Sequence, residues 1–277
     1  MDLQQMKASS QKIAMVTAYD ATMARLVDAA GVDMVLVGDS VGMVVQGMED
    51  TLSVTLEDMI YHGRCVERGL SQAHLTVDLP FMTYQVSPAQ ALESAGRLVK
   101  EGRAQSVKLE GGQRSVPAVQ LIVDAGIPVI GHIGLTPQSV HAMGGFRVQG
   151  RENDAAEKLM EDALALEEAG AFCLVLEMVP APLAARLTDA LYIPTIGIGA
   201  GPHCDGQVLV CNDLLGMDTS FKPRFVKRFA ELQNPIIDAV RSYVDEVHSG
   251  HFPTREHSFG PRRKGAKPQA GKIARLY

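Results

Sequence analysis

The chain has 277 residues, enough for one large α/β domain or two small ones, and 46% of them are apolar against 21% charged. Its formal net charge of −6 argues against a nucleic-acid-binding body, which needs clustered Lys and Arg to neutralise phosphate. No apolar run is long enough to cross a bilayer, the polar start from Met1 to Lys12 lacks the apolar centre of a signal peptide, and Cys65, Cys173, Cys204 and Cys211 form no C-x-x-C pair. Such sparse cysteines fit reduced thiols, and the expected location is cytoplasmic.

A short apolar run, a turn and a helical pattern then repeat along the chain. Ile13–Ala18 reads as the first strand, with a helix over Ala21–Ala30. Val32–Val37 is the second strand, followed by a long turn and a helix over Thr55–Gly69. Ala73–Val77 and Gln105–Leu109 are the third and fourth, with helices over Pro88–Lys100 and Ser115–Ala125. Pro128–His132 is the fifth; a long loop precedes its helix, Asp154–Ala169. Phe172–Leu176 is the sixth, with a helix over Leu183–Leu191; Pro194–Ile198 is the seventh and Gln207–Cys211 the eighth, with a last helix over Pro235–His248.

Near-continuous apolar strands alternating with helices imply a parallel sheet covered by helices. Eight of them close naturally into a (β/α)8 TIM-type barrel, expected here as a single α/β domain over 1–252. The rival is a doubly wound open sheet, which would carry G-x-G-x-x-G after an early strand; Gly38, Gly42 and Gly47 have the wrong spacing. Residues 253–277 place Arg255, Arg262, Arg263, Lys264, Lys267, Lys272 and Arg275 among Gly, Pro and Ser, the composition of a flexible basic tail.

Parallel barrels keep their active sites at the carboxyl ends of the strands. Those ends carry Asp39 and Ser40, Asp78, Lys108 and Glu110, His132, and Glu177. Side chains alternate with period two, so Val35, Val37 and Asp39 are expected on one face, as are Thr76 and Asp78, then Ser106, Lys108 and Glu110, then Cys173, Val175 and Glu177. If those faces look into the barrel, several carboxylates and one lysine converge. Concentrated carboxylates repel and are costly to desolvate, and an oxygen-rich set of this kind favours Mg2+ or Mn2+ over zinc. Each residue has a plainer reading: a turn cap for Asp39 and Ser40, a turn acceptor for Asp78, a buried ion pair for Lys108 and Glu110, a packed histidine for His132, a loop carboxylate for Glu177. Five coincident strand ends weigh against all the plain readings holding together. Gly197–Gly201 (GIGAG) either binds phosphate or makes a tight turn with a close approach, and Gly144-Gly145 lies in a loop long enough to be a lid.

At these residues the sequence resembles the ketopantoate hydroxymethyltransferase family. The matching stretches are Gly38–Met43 (GDSVGM), Thr51–His62 (TLSVTLEDMIYH), Asp78–Phe81 (DLPF), Lys108–Gly112 (KLEGG), Gly131–Ser139 (GHIGLTPQS), Gly150-Arg151, Glu177–Pro180 (EMVP), Ile193–Gly201 (IPTIGIGAG) and Cys204–Val208 (CDGQV). They run in family order from Ile13 to His248. The resemblance implies Asp39 and Asp78 as Mg2+ ligands, with Glu110 a third carboxylate of the metal site, acting through a water. It implies Ser40 and Lys108, with Asp39, Asp78 and His132, around a 2-oxo acid, and Glu177 as the general base. Implied too are 5,10-methylenetetrahydrofolate as co-substrate, on residues the resemblance does not name, and a homo-oligomer, typically a decamer. The rivals are a Mg2+-dependent barrel lyase or mutase acting on another 2-oxo acid, a Schiff-base aldolase using Lys108, and a non-catalytic barrel with a nucleic-acid-binding tail.

Overall fold

A computed structural model gives the fold and describes residues 3–218 and 222–260. The eight strands are β1 (Ile13–Thr17), β2 (Met34–Val37), β3 (His74–Asp78), β4 (Ser106–Glu110), β5 (Val129–Gly134), β6 (Cys173–Glu177), β7 (Thr195–Ile198) and β8 (Gly206–Leu209). They pair in parallel in sequence order, and β8 returns to β1 to close the barrel. The helices are α1 (Leu3–Ala8), α2 (Ala21–Ala29), α3 (Val41–Val44), α4 (Leu56–Glu67), α5 (Pro88–Lys100), α6 (Val116–Asp124), α7 (Asn153–Glu168), α8 (Ala181–Ala190), α9 (Cys211–Leu214) and α10 (Gln233–Ser249).

Local chemistry sets the helix starts. Asp20 accepts from the backbone N–H groups of Thr22 and Met23 ahead of α2, and Thr55 with Asp58 makes a reciprocal capping box on α4. Ser87 caps α5, whose first residue is Pro88, where a missing N–H costs nothing. Two apolar layers result. Val35, Val37, Leu75, Val77, Val107, Leu109, Leu174 and Leu176 pack outward under the helices, while Met15, Met34, Leu36, Ile130, Cys173, Val175, Ile196 and Val208 fill the barrel.

The structure adds one helix, shortens one strand and leaves one connection without a helix. The polar start holds a helix: α1 buries Leu3 and Met6 against the interior layer, and Lys7 Nζ donates to the Thr188 and Ile193 carbonyls and to Asp205. A one-turn plug of two apolar residues in a polar stretch gives no periodicity to read. The eighth strand ends at Leu209, because Cys211 opens α9, its N–H donating to the Thr17 hydroxyl. The seventh unit has no helix, since Gly199–Asp205 runs directly from β7 to β8.

Two compact units divide the chain, one ending at Ala230 and one beginning at Glu231, whereas the sequence reading set its boundary at 252. The second contains α10, closed by Gly250 at φ 74°. On that helix Ile236, Ile237, Val240, Tyr243, Val244 and Val247 share a stripe and are all exposed. Of the basic tail, Arg255 lies in a 3-10 turn, Arg255–His257; the basic residues from Arg262 onward fall outside the described residues.

Candidate active site

The carboxyl ends of β2 to β6 bring Asp39, Ser40, Asp78, Lys108, Glu110, His132 and Glu177 around one cavity of about 170 Å³. Parity accounts for four of the five ends. Asp78 shares the interior face of β3 with Thr76, Lys108 and Glu110 that of β4 with Ser106, and Glu177 that of β6 with Cys173 and Val175. Ile130 and His132 do the same on β5. Strand β2 is the exception: Val35 and Val37 face the helices, not the cavity. Asp39 reaches the cavity because the chain has already left the strand and turned, and its own N–H donates to Asp78 Oδ2 at 3.1 Å.

Contacts among these groups are tight. Lys108 Nζ lies 3.0 Å from Asp78 Oδ1 and 3.3 Å from His132 Nδ1. His132 Nδ1 is 3.5 Å from Glu110 Oε1, and His132 Nε2 is 3.2 Å from Glu177 Oε2. An ammonium donates and never accepts, so His132 Nδ1 must be the acceptor and the ring proton is assigned to Nε2, facing Glu177. His132 therefore sits in the cluster and is not an isolated packed histidine. Ser40 bonds Tyr19 Oη at 2.8 Å and makes no cap bond, so its role is not the turn-capping alternative.

Burial governs the electrostatics. Asp39 and Glu110 are pushed up first by desolvation, with Lys108 pulling them back. Asp78 is raised to about 7 by burial, against the pull of Lys108, and Glu177 to about 7 by the same two causes. His132 is held well below its ordinary value by burial and then by Lys108, so it is neutral. Lys108 stays protonated: burial opposes its charge, but Asp78, Asp39 and Glu110 together outweigh that cost. A Schiff-base lysine needs the opposite shift, which weighs against the aldolase alternative.

One lysine faces four carboxylates, and Asp78 Oδ1 and Glu110 Oε1 are buried without a hydrogen bond of good geometry. That set fits a divalent cation bound to oxygen. No three His, Cys, Asp or Glu groups converge as a complete ligand set among the described residues. The carboxylates that could hold magnesium here are Asp39 and Asp78, with Glu110 through a water, and substrate oxygens and water would fill its remaining positions.

Sequence reasoning missed the groups that hold this arrangement. Gln138 is buried on a 3-10 turn, Pro137–Ser139, after β5. Its Nε2 donates to Asp39 Oδ2 at 2.8 Å and to the Leu79 carbonyl at 3.0 Å, and its backbone N–H donates to Glu110 Oε2 at 3.1 Å. Its Oε1 accepts from Tyr84 Oη and Gln85 Nε2. An uncharged glutamine in a long loop gives no strand-end signal, although it lies inside the quoted GHIGLTPQS stretch. Thr51 was missed in the same way; its buried hydroxyl lines the cavity and has no hydrogen-bond partner. The long loop also carries Phe146 to the cavity. The Gly197–Gly201 segment is a tight turn: Gly199 has φ 65° and faces the ring of Phe225, while Gly201 at φ 85° packs on Ala181.

A closed parallel barrel with a carboxylate, lysine and histidine cluster at the carboxyl ends of its strands has the architecture of a (β/α)8 enzyme. The model of the ketopantoate hydroxymethyltransferase family matches residues 1–255, and the chain belongs to that family. It is 58% identical over 259 residues to the 3-methyl-2-oxobutanoate hydroxymethyltransferase of Syntrophotalea carbinolica, covering 94% of this chain and 97% of that one. The enzyme of the same name from Anaeromyxobacter sp. strain Fw109-5 is 60% identical over 262 residues, covering 93% and 86%. In fold the chain is similar to 2,3-dimethylmalate lyase, a member of the PEP mutase/isocitrate lyase superfamily, with a TM-score of 0.58 at 16% identity over 94% of this chain and 90% of that one. It is also similar to phosphonopyruvate hydrolase, solved with oxalate and Mg2+, with a TM-score of 0.60 at 11% identity over 92% of both chains.

Proposed function

We propose that this chain transfers a one-carbon unit from 5,10-methylenetetrahydrofolate to 3-methyl-2-oxobutanoate, giving 2-dehydropantoate and tetrahydrofolate. The observation that carries the reading is Glu177, a part-buried carboxylate raised to about 7 by desolvation and facing the same cavity as the Asp39, Asp78 and Lys108 charge cluster. Magnesium, when bound, polarises the keto oxygen and favours the enolate. Lys108 and Ser40 bind and orient the keto acid. Glu177 takes the C3 proton, and the electron pair of that C–H bond becomes the nucleophile. Water adds to the methylene carbon as both of its C–N bonds to the folate break and the two nitrogens take up the water protons. C3 then bonds to the formaldehyde carbon so released, and its oxygen takes the proton held by Glu177 to become the hydroxyl. Neutral His132 places Nε2 3.2 Å from Glu177 Oε2 and cannot compete for the C3 proton while Nδ1 is turned to Lys108.

An omission assay tests this reading. Product is expected only when keto acid, methylene donor and Mg2+ are all present. Keto-acid consumption without the folate donor would replace it with a lyase or mutase acting on a 2-oxo acid. The exposed apolar stripe of α10 supports the homo-oligomer that the family resemblance implies, since such stripes are surfaces that association buries. No helix among the described residues is long and apolar enough to cross a membrane.

Gln138 positions Asp39. With Oδ2 fixed by Gln138 Nε2, the other oxygen of Asp39 is aimed by the same bond. Changing such outer partners typically costs roughly 10–100-fold in metal affinity. Gln138→Leu is expected to weaken Mg2+ binding by at least tenfold in a calorimetric titration, and Gln138→Glu, which keeps shape but adds a charge against Asp39, is expected not to rescue it. Wild-type affinity in Gln138→Leu would refute the assignment.

A further inference from the structure

The catalytic cavity has a buried floor and an open rim. Asp39, Asp78, Lys108, Glu110 and His132 are all buried, and they occupy the floor. The cavity's volume of about 170 Å³ is below the roughly 300–1,000 Å³ of pockets that hold drug-sized ligands, so the keto acid fits inside and a folate does not. The donor must present its one-carbon unit from the rim. There the lining is Phe146, which is 51% exposed, with the part-exposed Val210, Asp213 and Phe225.

We propose that this rim receives the pterin head of the folate donor, with the Asp213 carboxylate accepting from the pterin N3–H and 2-amino group and with Phe146 and Phe225 against its ring faces. The proposal rests on the folate reading above and adds the residues that carry it. Asp213 stands on α9, immediately after β8, and no hydrogen bond from the described residues occupies its carboxylate. Its charged neighbours are Arg228 and Asp218. A carboxylate accepts two parallel N–H bonds from a planar donor edge, and adjacent N–H groups on a 2-amino-4-oxopyrimidine present that edge. Aromatic faces add stacking that a flat heterocycle can use.

Phe225 is seated by the backbone. A Cβ on Gly199 would lie 3.0 Å from Phe225 Cδ1, and Gly199 adopts φ +65°, a conformation that side chains rarely take. This gives the Gly197–Gly201 turn a use: it lets the ring lie against the β7 end beside Ile198 and Glu177. Phe225 also lines a neighbouring cavity of about 910 Å³, bordered by Met178, Pro180 and Arg224. The p-aminobenzoylglutamate tail has room on that side of the ring, with the Arg224 guanidinium available to its carboxylates.

Steady-state kinetics of Asp213→Asn with varied 5,10-methylenetetrahydrofolate and varied keto acid tests the proposal. The expected result is a donor KM raised at least tenfold with the keto-acid KM within about twofold of wild type. Calorimetry with tetrahydrofolate and its 2-desamino analogue gives a second reading. Wild type should prefer tetrahydrofolate, and Asp213→Asn should lose most of that preference. A donor KM left at the wild-type value, both KM values rising together, or a preserved preference for the 2-amino compound would each overturn the assignment. Should Asp213→Asn fail to fold, Phe225→Leu is expected to show the same donor-selective loss, and an unchanged donor KM there overturns the proposal equally. A wild-type enzyme that makes product from another one-carbon source and ignores the folate would instead overturn the folate reading itself.

Discussion

Glu177→Gln is expected to slow product formation by roughly 10²–10⁴-fold, the usual cost of losing a positioned general base. The substitution keeps the shape of the side chain beside His132 Nε2, which lies 3.2 Å from Glu177 Oε2, and removes proton acceptance. Burial raises Glu177 to about 7, and only its ionised form can take a proton. In wild type the rate should therefore fall as pH drops below about 7, approaching tenfold per pH unit. Binding of Mg2+ and keto acid should survive in the variant. A Glu177→Gln enzyme turning over at the wild-type rate would remove Glu177 from the base role.

The second large effect concerns metal and stability. Asp78 and Glu177 have folded-state values of about 7, above the 3.8 and 4.5 of the free side chains. A carboxyl with a raised value stabilises the fold while protonated, and that contribution disappears as pH climbs through the window between about 4 and about 7. The metal-free protein should accordingly melt at a lower temperature at pH 8 than at pH 5.5. Magnesium binds the ionised carboxylates, so its stabilising effect should be larger at pH 8; at a hundredfold excess over Kd it amounts to about 2.7 kcal/mol. Asp78→Ala should abolish the Mg2+-dependent part of the shift and the Mg2+-dependent activity together. A Mg2+ shift of equal size at both pH values, or one retained in Asp78→Ala, would contradict the placement of the metal.

The barrel was legible because its signal is repetitive. Apolar β-branched runs alternate with capped amphipathic helices, and Ser106–Glu110 and Cys173–Glu177 show by alternation alone which residues face inward. The charged strand ends were legible because ionisable residues are conspicuous at the ends of apolar runs. Parity failed at Asp39, where the strand ends two residues before the carboxylate and a turn reorients it. Gln138, Tyr84 and Thr51 were invisible for another reason: neutral polar side chains in loops have no period and no charge, and only the folded chain brings Tyr84 to Gln138 across 54 positions. The α1 plug was missed because Leu3 and Met6 are too few to make a pattern, yet three positions apart, about 60° round the helix, they meet the same interior layer.

Central to the account is an enolate formed at C3 of 3-methyl-2-oxobutanoate by Glu177 with Mg2+ in the site. It is tested most directly by proton NMR of the keto acid in deuterated water with the wild-type enzyme and no folate. With Mg2+ present, the C3 proton signal should disappear far faster than in enzyme-free buffer, and chelator should stop the loss. Product formation by an enzyme that never exchanges the C3 proton, or exchange that proceeds undiminished in chelator, would contradict it.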